Sequence, residues 1–179
     1  LNRLAALGYE TGSGLITGLP ESNEEQVVKG LKLLATLDPD MMSPGPFRPH
    51  PATPFRDAPP GSTAENPPSM AHARHTMPMA HLPAPSELGP YGDEVRLAAL
   101  EVGNVLMPSL TPEEVRESYA MYPGKNRQTL SPFQRAEQFG PMLLEAGFSL
   151  PPGPGGAWRL SRNAEPSGVP DTDKDELAL

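Results

Sequence analysis

Apolar positions in the first forty residues change from helical to strand spacing and back again. Residues 1–7 have the spacing of an amphipathic helix, and residues 9–19 alternate small side chains as a short strand does. A second helix is predicted over residues 22–37, with Ser22 as its N-cap and two glutamates near its positive end. Its apolar side would consist of Val27, Val28, Leu31, Leu33 and Leu34.

Proline interrupts this periodicity in the middle of the chain. The next strand is predicted over residues 41–47, although Pro44 would remove a backbone hydrogen-bond donor if this strand lay in the middle of a sheet. Residues 48–68 are dense in proline and predict a loop. A weakened or broken helix is expected over residues 69–82, because Pro78 interrupts it and three histidines replace apolar residues.

Caps and short apolar runs predict the remaining elements. A helix is predicted over residues 93–101 and a strand over residues 102–107. The capping pattern of residues 111–114 predicts that another helix starts at Thr111. The last helix is predicted over residues 132–146, and residues 151–179 predict a mostly disordered tail. Before that tail, strands and helices alternate, which indicates a parallel α/β sheet of about four strands, half of a barrel.

Charge and composition narrow the classes of function. The 179 residues carry a net charge of −8 with a pI near 5.0, which argues against binding to nucleic acid phosphates. Hydrophobic residues make up 37 % of a chain with 25 prolines and 17 glycines, so we expect a thin core. No apolar run approaches the roughly 20 residues of a membrane span, and without cysteine there is no disulfide or thiolate metal site. These features predict a cytoplasmic protein with no membrane or nucleic-acid partner.

A glycine-rich segment lies at the end of the first predicted strand. Residues 14–21 have the spacing GxIxGxxE. Glycines at the carboxyl end of a strand let a flat ligand approach the backbone, and Ile16 offers an apolar face. The same pattern also suits a plain turn from a strand into a helix, so these residues alone leave both interpretations open.

Five segments, taken in order, resemble a known superfamily. They are GLITGLPE (14–21), GPFRPHPATPF (45–55), LPAPSELG (82–89), GNVLMPSLTP (103–112) and YAMYPGK (119–125). Together they look like the C-terminal half of a radical SAM enzyme. Within that superfamily they are most similar to the FeFe-hydrogenase maturases of the HydE family, and more distantly to biotin synthase and methylornithine synthase. The resemblance covers residues 1–150.

The resemblance implies a partial (β/α)8 TIM-type barrel of which this chain supplies about strands five to eight. It places the Cx3Cx2C loop that binds a 4Fe-4S cluster in a missing N-terminal half-barrel, so no catalytic residue is expected here. The resemblance also implies that S-adenosylmethionine is contacted by Gly14, Ile16, Gly18, Phe47 and Pro49.

A second set of residues matches family positions that line the internal cavity and contact substrate or cofactor: Ser86, Met107, Tyr119 and Tyr122. The family typically carries a Thr-Thr pair where this chain has Pro85 and Ser86, which leaves one hydroxyl. Ordinary barrel packing is an equal alternative for Met107. Packing is also an alternative for Tyr119 and Tyr122, which lie three residues apart on one predicted helical face.

The Met/His-rich residues 70–81 raise the question of a metal site. Imidazole and thioether groups suit copper, and His72 and His75 would share a helical face. Pro78 separates them from His81, however, and no carboxylate lies nearby in the sequence. The favoured interpretation is an exposed, imperfect helix, and no metal site is predicted.

By resemblance, this chain is a fragment or a diverged copy of a HydE-like radical SAM enzyme. Such an enzyme cleaves S-adenosylmethionine at its cluster to a 5′-deoxyadenosyl radical and acts on a small substrate in H-cluster maturation, with other hydrogenase maturases as candidate partners. The alternatives are a degenerate, non-catalytic remnant or binding module, and a biotin synthase-like or methylornithine synthase-like enzyme. Because the cluster loop is absent, catalysis by these residues alone is not expected.

Overall fold

A computed structural model describes residues 1–119, 121–122, 125, 130–151 and 155–158. The described part contains two strands, β1 (Gly12–Thr17) and β2 (Met41–Pro46), and six α-helices, which are α1 (Asn2–Ala6), α2 (Glu24–Leu37), α3 (Asn66–Thr76), α4 (Asp93–Ala98), α5 (Glu113–Arg116) and α6 (Pro132–Glu145). Short 3-10 helices cover Thr63–Glu65, Ser86–Tyr91, Ala99–Glu101 and Glu117–Tyr119. The predicted α/β class is confirmed.

The two strands form a parallel sheet that helices cover on one face. The register runs from Gly12 opposite Met41 to Thr17 opposite Pro46, with α2 as the crossover. Helices α2 and α3 contact the strands and each other, and the core between them includes Leu31, Leu34, Met42, Met70 and Ala73. The opposite face of β1 is exposed, because its alternate residues are solvent-accessible. The sheet thus has one covered face and one open face.

Helix α2 begins one residue later than the sequence predicts. Its N-cap is Asn23, not Ser22, and Asn23 forms a reciprocal capping box with Gln26. The Ser22 hydroxyl donates instead to the carbonyl of Leu19. The two buried residues of the helix, Leu31 and Leu34, are i and i+3 neighbours. Val28 and Leu33 lie off this stripe and are exposed, so the predicted apolar side was too wide.

Helix α3 is regular from Asn66 to Thr76, so the helix predicted over residues 69–82 does end near Pro78, whereas the weakening expected from its histidines is not seen. Pro67 and Pro68 lie in its first turn, where the backbone N–H groups have no partner within the helix. The helix ends at Thr76, two residues before Pro78. His72 and His75 are exposed, so they do not interrupt its buried side.

Two isolated parallel bridges, between Met41 and His81 and between Pro83 and Val105, continue the order of β1 and β2. Of the strand predicted over residues 102–107, only the bridge between Val105 and Pro83 is present. The first bridge consists of two backbone hydrogen bonds: the Met42 N–H donates to the His81 carbonyl, and the His81 N–H donates to the Asp40 carbonyl. In a parallel ladder of this register, the donors of the next four bonds would be residues 44, 46, 83 and 85, all of which are proline. The ladder therefore stops after one rung.

A side chain replaces part of the missing ladder. The buried amide of Asn66, in α3, donates through Nδ2 to the carbonyl of Pro44 at 2.9 Å. This carbonyl lies on the edge of β2 where the prolines cannot donate hydrogen bonds. The bond from Asn66 therefore satisfies a buried acceptor that would otherwise have no hydrogen-bond partner.

The C-terminal helices follow the predictions closely, with one correction at a cap. Helix α5 has Pro112, not Thr111, as its N-cap residue. Helix α6 begins after Ser131, which forms a capping box with Gln134. Phe139 and Leu143 are buried on it, whereas Phe133 and Leu144 are exposed.

A short piece of the predicted tail contacts the amino end of the sheet. Ala157 is 1 % exposed, its N–H donates to the carboxylate of Glu10, and the Gly156 carbonyl lies 3.1 Å from His81 Nε2. Most of the predicted disordered tail, beyond residue 158, lies outside the described residues.

Candidate functional site

A cavity of about 420 Å³ opens on the uncovered face of the sheet. The lining of this cavity comes from both strands, the segment after β2, the 3-10 turn that begins at Ser86, and the segment after α5. The lining residues are Gly14, Leu15, Ile16, Ser43, Gly45, Pro46, Phe47, Arg48, Glu87, Met121 and Tyr122. Since β1 and β2 are parallel, their carboxyl ends meet at this cavity.

The structure brings together five of the nine residues that the sequence predicts as site residues. Gly14, Ile16, Phe47 and Tyr122 line the cavity. Ser86 adjoins them, because the Tyr122 hydroxyl donates to its Oγ at 3.2 Å. Ile16 is 53 % exposed, so its side chain offers apolar surface to the cavity. The phenyl ring of Phe47 is buried and packs edge-on against Phe55.

The other four predicted residues do not line this cavity. Gly18 lies beyond the end of β1 and Pro49 beyond the end of β2. Met107 is exposed, and its carbonyl accepts a hydrogen bond from Arg96. The ring of Tyr119 is exposed beneath the Lys125 ammonium, whose nitrogen lies 4.9 Å from the ring centre.

The two predicted glycines have a packing role in the backbone. A methyl group at position 14 would lie 2.4 Å from the carbonyl oxygen of Ser43 in the neighbouring strand. Gly18 has φ +66°, and a methyl group there would lie 2.8 Å from the Cα of Gly61. The glycines of the GxIxGxxE pattern therefore permit close contact between backbone segments.

The sequence interpretation missed Glu87 as a cavity residue. Its carboxylate lies against Gly45, since a methyl group at position 45 would be 3.4 Å from Glu87 Oε2. Glu87 directly follows Ser86 in one of the five ordered segments, so its neighbourhood in the sequence was the available signal. Met121 was missed as well, and it flanks Tyr122.

Burial sets the ionisation behaviour of two neighbouring side chains. It raises the pKa of the Tyr122 hydroxyl, the hydrogen bond to Ser86 acts in the opposite direction, and the Glu87 charge adds to the increase. Burial lowers the pKa of the Lys125 ammonium, and the Glu87 charge opposes this shift. The Tyr122 phenol is thus held in its neutral, hydrogen-bonding form.

This shift predicts a pH dependence of stability that Tyr122→Phe removes. Above about pH 10 the unfolded chain loses the phenol proton while the folded chain keeps it, so the free energy of unfolding decreases as pH rises through this window. Tyr122→Phe should weaken this decrease and should cost only about 0.5–1.5 kcal/mol at neutral pH, where one hydrogen bond is lost. Urea unfolding of both proteins at about pH 8.5 and about pH 11 measures the difference. Equal loss of stability in the two proteins would contradict the prediction.

Within the described residues there is no group of three His, Asp or Glu side chains placed to hold a metal ion. Two histidines of the Met/His-rich segment contact the backbone, since His72 Nδ1 lies 2.9 Å from the Pro68 carbonyl and His81 contacts that of Gly156. None of the described helices has the length and apolar composition needed to cross a membrane.

No protein-family model matches the chain. Over 125 residues, or 68 % of its length, the sequence is 38 % identical to the [FeFe] hydrogenase maturase subunit HydE of Thermotoga maritima. The chain contains a HydE-like region. It spans about a third of that relative, because the match covers 35 % of the relative's length. The predicted resemblance to HydE is confirmed as far as this HydE-like region, and the activity of the complete HydE relative is a proposal for this chain.

Proposed function

We propose that this chain is the S-adenosylmethionine-facing part of a HydE-like radical SAM enzyme that acts in FeFe-hydrogenase maturation. The observation that carries the proposal is the cavity on the open sheet face, where Gly14, Ile16 and Phe47 of two HydE-like segments lie together. The identity to HydE supports the same assignment. Within the described residues, we find no feature that favours a degenerate remnant, a biotin synthase-like enzyme or a methylornithine synthase-like enzyme.

The order of the parallel segments supports a half-barrel. β1, β2 and the segments around His81 and Val105 are neighbours in chain order, and each contact is parallel. Among the described residues, helices cover one face of β1 and β2, as in a (β/α)8 barrel, where helices lie outside and the other face lines the interior. The open face would then be completed by the N-terminal half-barrel, the first partner that we propose.

The cavity suits the nucleoside of S-adenosylmethionine. Its volume of about 420 Å³ lies within the usual range of small-molecule sites, roughly 300–1,000 Å³. Ile16 offers an apolar surface for a flat ring, and Gly14 and Gly45 have no side chains that would obstruct it. Tyr122 supplies a hydroxyl group to the same cavity, hydrogen-bonded to that of Ser86. These residues would bind and orient the nucleoside and shield it from water.

The radical chemistry that S-adenosylmethionine and a 4Fe-4S cluster supply when bound requires more than these residues. The 179 residues include no cysteine, so this chain does not fit a thiolate-ligated cluster and its ligands must come from other sequence. The chain would contribute a nucleoside-binding wall and part of the cavity for a small-molecule substrate. Other hydrogenase maturases are the further partners that this function implies.

Calorimetric titration of the chain with methylthioadenosine and S-adenosylmethionine tests the proposal. We expect both compounds to bind, and Ile16→Ala to weaken both about tenfold, because truncation removes apolar contact worth about 1.4 kcal/mol. Leu33→Ala, on the exposed side of α2, is the matched control and should leave both affinities unchanged. Absence of binding to the intact chain, or equal effects of the two substitutions, would reject the proposal.

A further inference from the structure

We propose that Glu87 recognises a positively charged group on the organic ligand of the open-face cavity. This inference deepens the proposed function, because it names the chemistry by which the cavity would select its ligand. It rests on the position of the Glu87 carboxylate, on the absence of a hydrogen bond or ion pair to it among the described residues, and on the apolar surfaces around it.

The fold brings the Glu87 carboxylate onto the sheet face. Ser86 and Glu87 begin the 3-10 turn that follows the segment bridged to Val105. The carboxylate lies directly over β2 at Gly45, since a methyl group there would be in contact with it, at 3.4 Å from Oε2 and 3.6 Å from Cδ. The carboxylate therefore belongs to the wall of the cavity and is only partly exposed.

Glu87 forms neither a hydrogen bond nor an ion pair with any side chain or backbone group in the part of the chain that the structure describes. Among the described residues, three cations lie nearby: the Glu87 charge favours the charged forms of Lys125 and Arg96 without forming an ion pair with either, and Arg48 lines the same cavity and has contacts of its own. Lys125 and Arg96 also have other contacts. The Lys125 ammonium lies over the rings of Tyr119 and Tyr122, at 4.9 and 5.6 Å from their centres. Arg96 donates to the Met107 carbonyl and lies over Phe139. A partly buried carboxylate without a partner is unfavourable, and a cationic ligand would relieve that cost.

The surroundings of the carboxylate define the ligand further. Ile16 and Phe47 provide apolar surface in the same cavity, and the Tyr122 hydroxyl is held neutral by burial. This combination fits an ammonium or sulfonium cation attached to an apolar or planar body. Two ligands of the proposed function could carry such a cation: S-adenosylmethionine itself, or the small substrate.

Substitution of Glu87 by glutamine tests whether S-adenosylmethionine or the small substrate carries the cation that Glu87 recognises. Glutamine keeps the shape and removes the charge, and no hydrogen bond to a described residue is lost. In the intact chain we expect S-adenosylmethionine to bind at least tenfold more tightly than uncharged methylthioadenosine. Glu87→Gln should abolish that preference and leave methylthioadenosine binding unchanged. The exposed Glu101, changed to glutamine, is the matched control and should alter neither affinity.

A second pair of probes addresses the substrate as the source of the cation. Phenethylammonium and neutral phenethyl alcohol differ mainly in charge, and amide shifts of Gly45 in NMR titrations report occupancy of this cavity. If Glu87→Gln removes only the preference for phenethylammonium, the inference stands and the substrate carries the cation. If neither preference depends on Glu87, the inference is wrong. If the wild-type chain binds neither adenosine compound but keeps a Glu87-dependent preference for phenethylammonium, the proposed function fails while the inference stands.

Discussion

Replacing Gly14 by alanine is expected to destabilise the protein by about 3 kcal/mol, because the added methyl group would meet the backbone of the neighbouring strand. The methyl carbon would lie 2.4 Å from the carbonyl oxygen and 3.3 Å from the carbonyl carbon of Ser43. Neither atom belongs to a flexible side chain, so the two strands themselves must separate. A loss of this size is a large part of a net stability of about 5–15 kcal/mol. Urea unfolding followed by circular dichroism measures it.

Gly140→Ala is the matched control for this substitution. Gly140 lies inside α6, and a methyl group there would have no neighbouring atom within 4 Å. Alanine is favoured over glycine within helices by about 1 kcal/mol, so this variant should be more stable than the wild type. If Gly14→Ala unfolds at the same urea concentration as the wild type, the close approach of β1 to β2 does not limit stability and the prediction is wrong.

Local sequence signals were sufficient for the elements with caps and regular spacing. Helices α2 and α6 each have an Asx or Ser capping box and lie within about one residue of their predicted ends. The contacts of the segments around His81 and Val105, which form only isolated bridges, were not predictable in the same way. Four prolines are visible in the sequence, but only the register shows that all four occupy donor positions between the same two segments. That register depends on contacts between residues about forty positions apart.

The site was predicted only in part, because it too depends on contacts between residues far apart in the chain. Ile16, Phe47 and Tyr122 come from segments far apart in the chain, and the structure brings them to one cavity, while the contacts with cofactor and substrate that the resemblance implies for them stay predictions. A single glutamate in a proline-rich loop carries no signal of burial, so in the sequence only its place directly after Ser86 pointed to Glu87. Conversely, Gly18 belongs to the family-like pattern, yet the fold directs it toward the Gly61 backbone and away from the cavity.

Arg74→Met is expected to destabilise the protein by about 2–4 kcal/mol, because Arg74 connects α3 to the two segments that lack a continuous ladder. Its guanidinium donates hydrogen bonds of 2.8 to 3.2 Å to the carbonyls of Pro78, Ala80 and Val102 and to Oδ1 of Asn104. Asn104 Oδ1 also accepts from the Leu82 N–H at 2.7 Å, so the network reaches the segment that bridges β2. Methionine keeps the apolar stem and removes every donor, which leaves several partly buried acceptors unsatisfied.

Arg56→Met separates this network from a general effect of losing an arginine. Arg56 is exposed and pairs with its exposed neighbour Asp57 at 3.3 Å, an arrangement that contributes little to stability. Urea unfolding should therefore show a large shift for Arg74→Met and almost none for Arg56→Met. The unfolding midpoint of Arg74→Lys should lie closer to that of Arg74→Met than to that of the wild type, because one ammonium cannot reach the acceptors on both segments. Equal midpoints for Arg74→Met and Arg56→Met would mean that apolar contacts of Leu82 and Met70 alone hold these segments against the sheet.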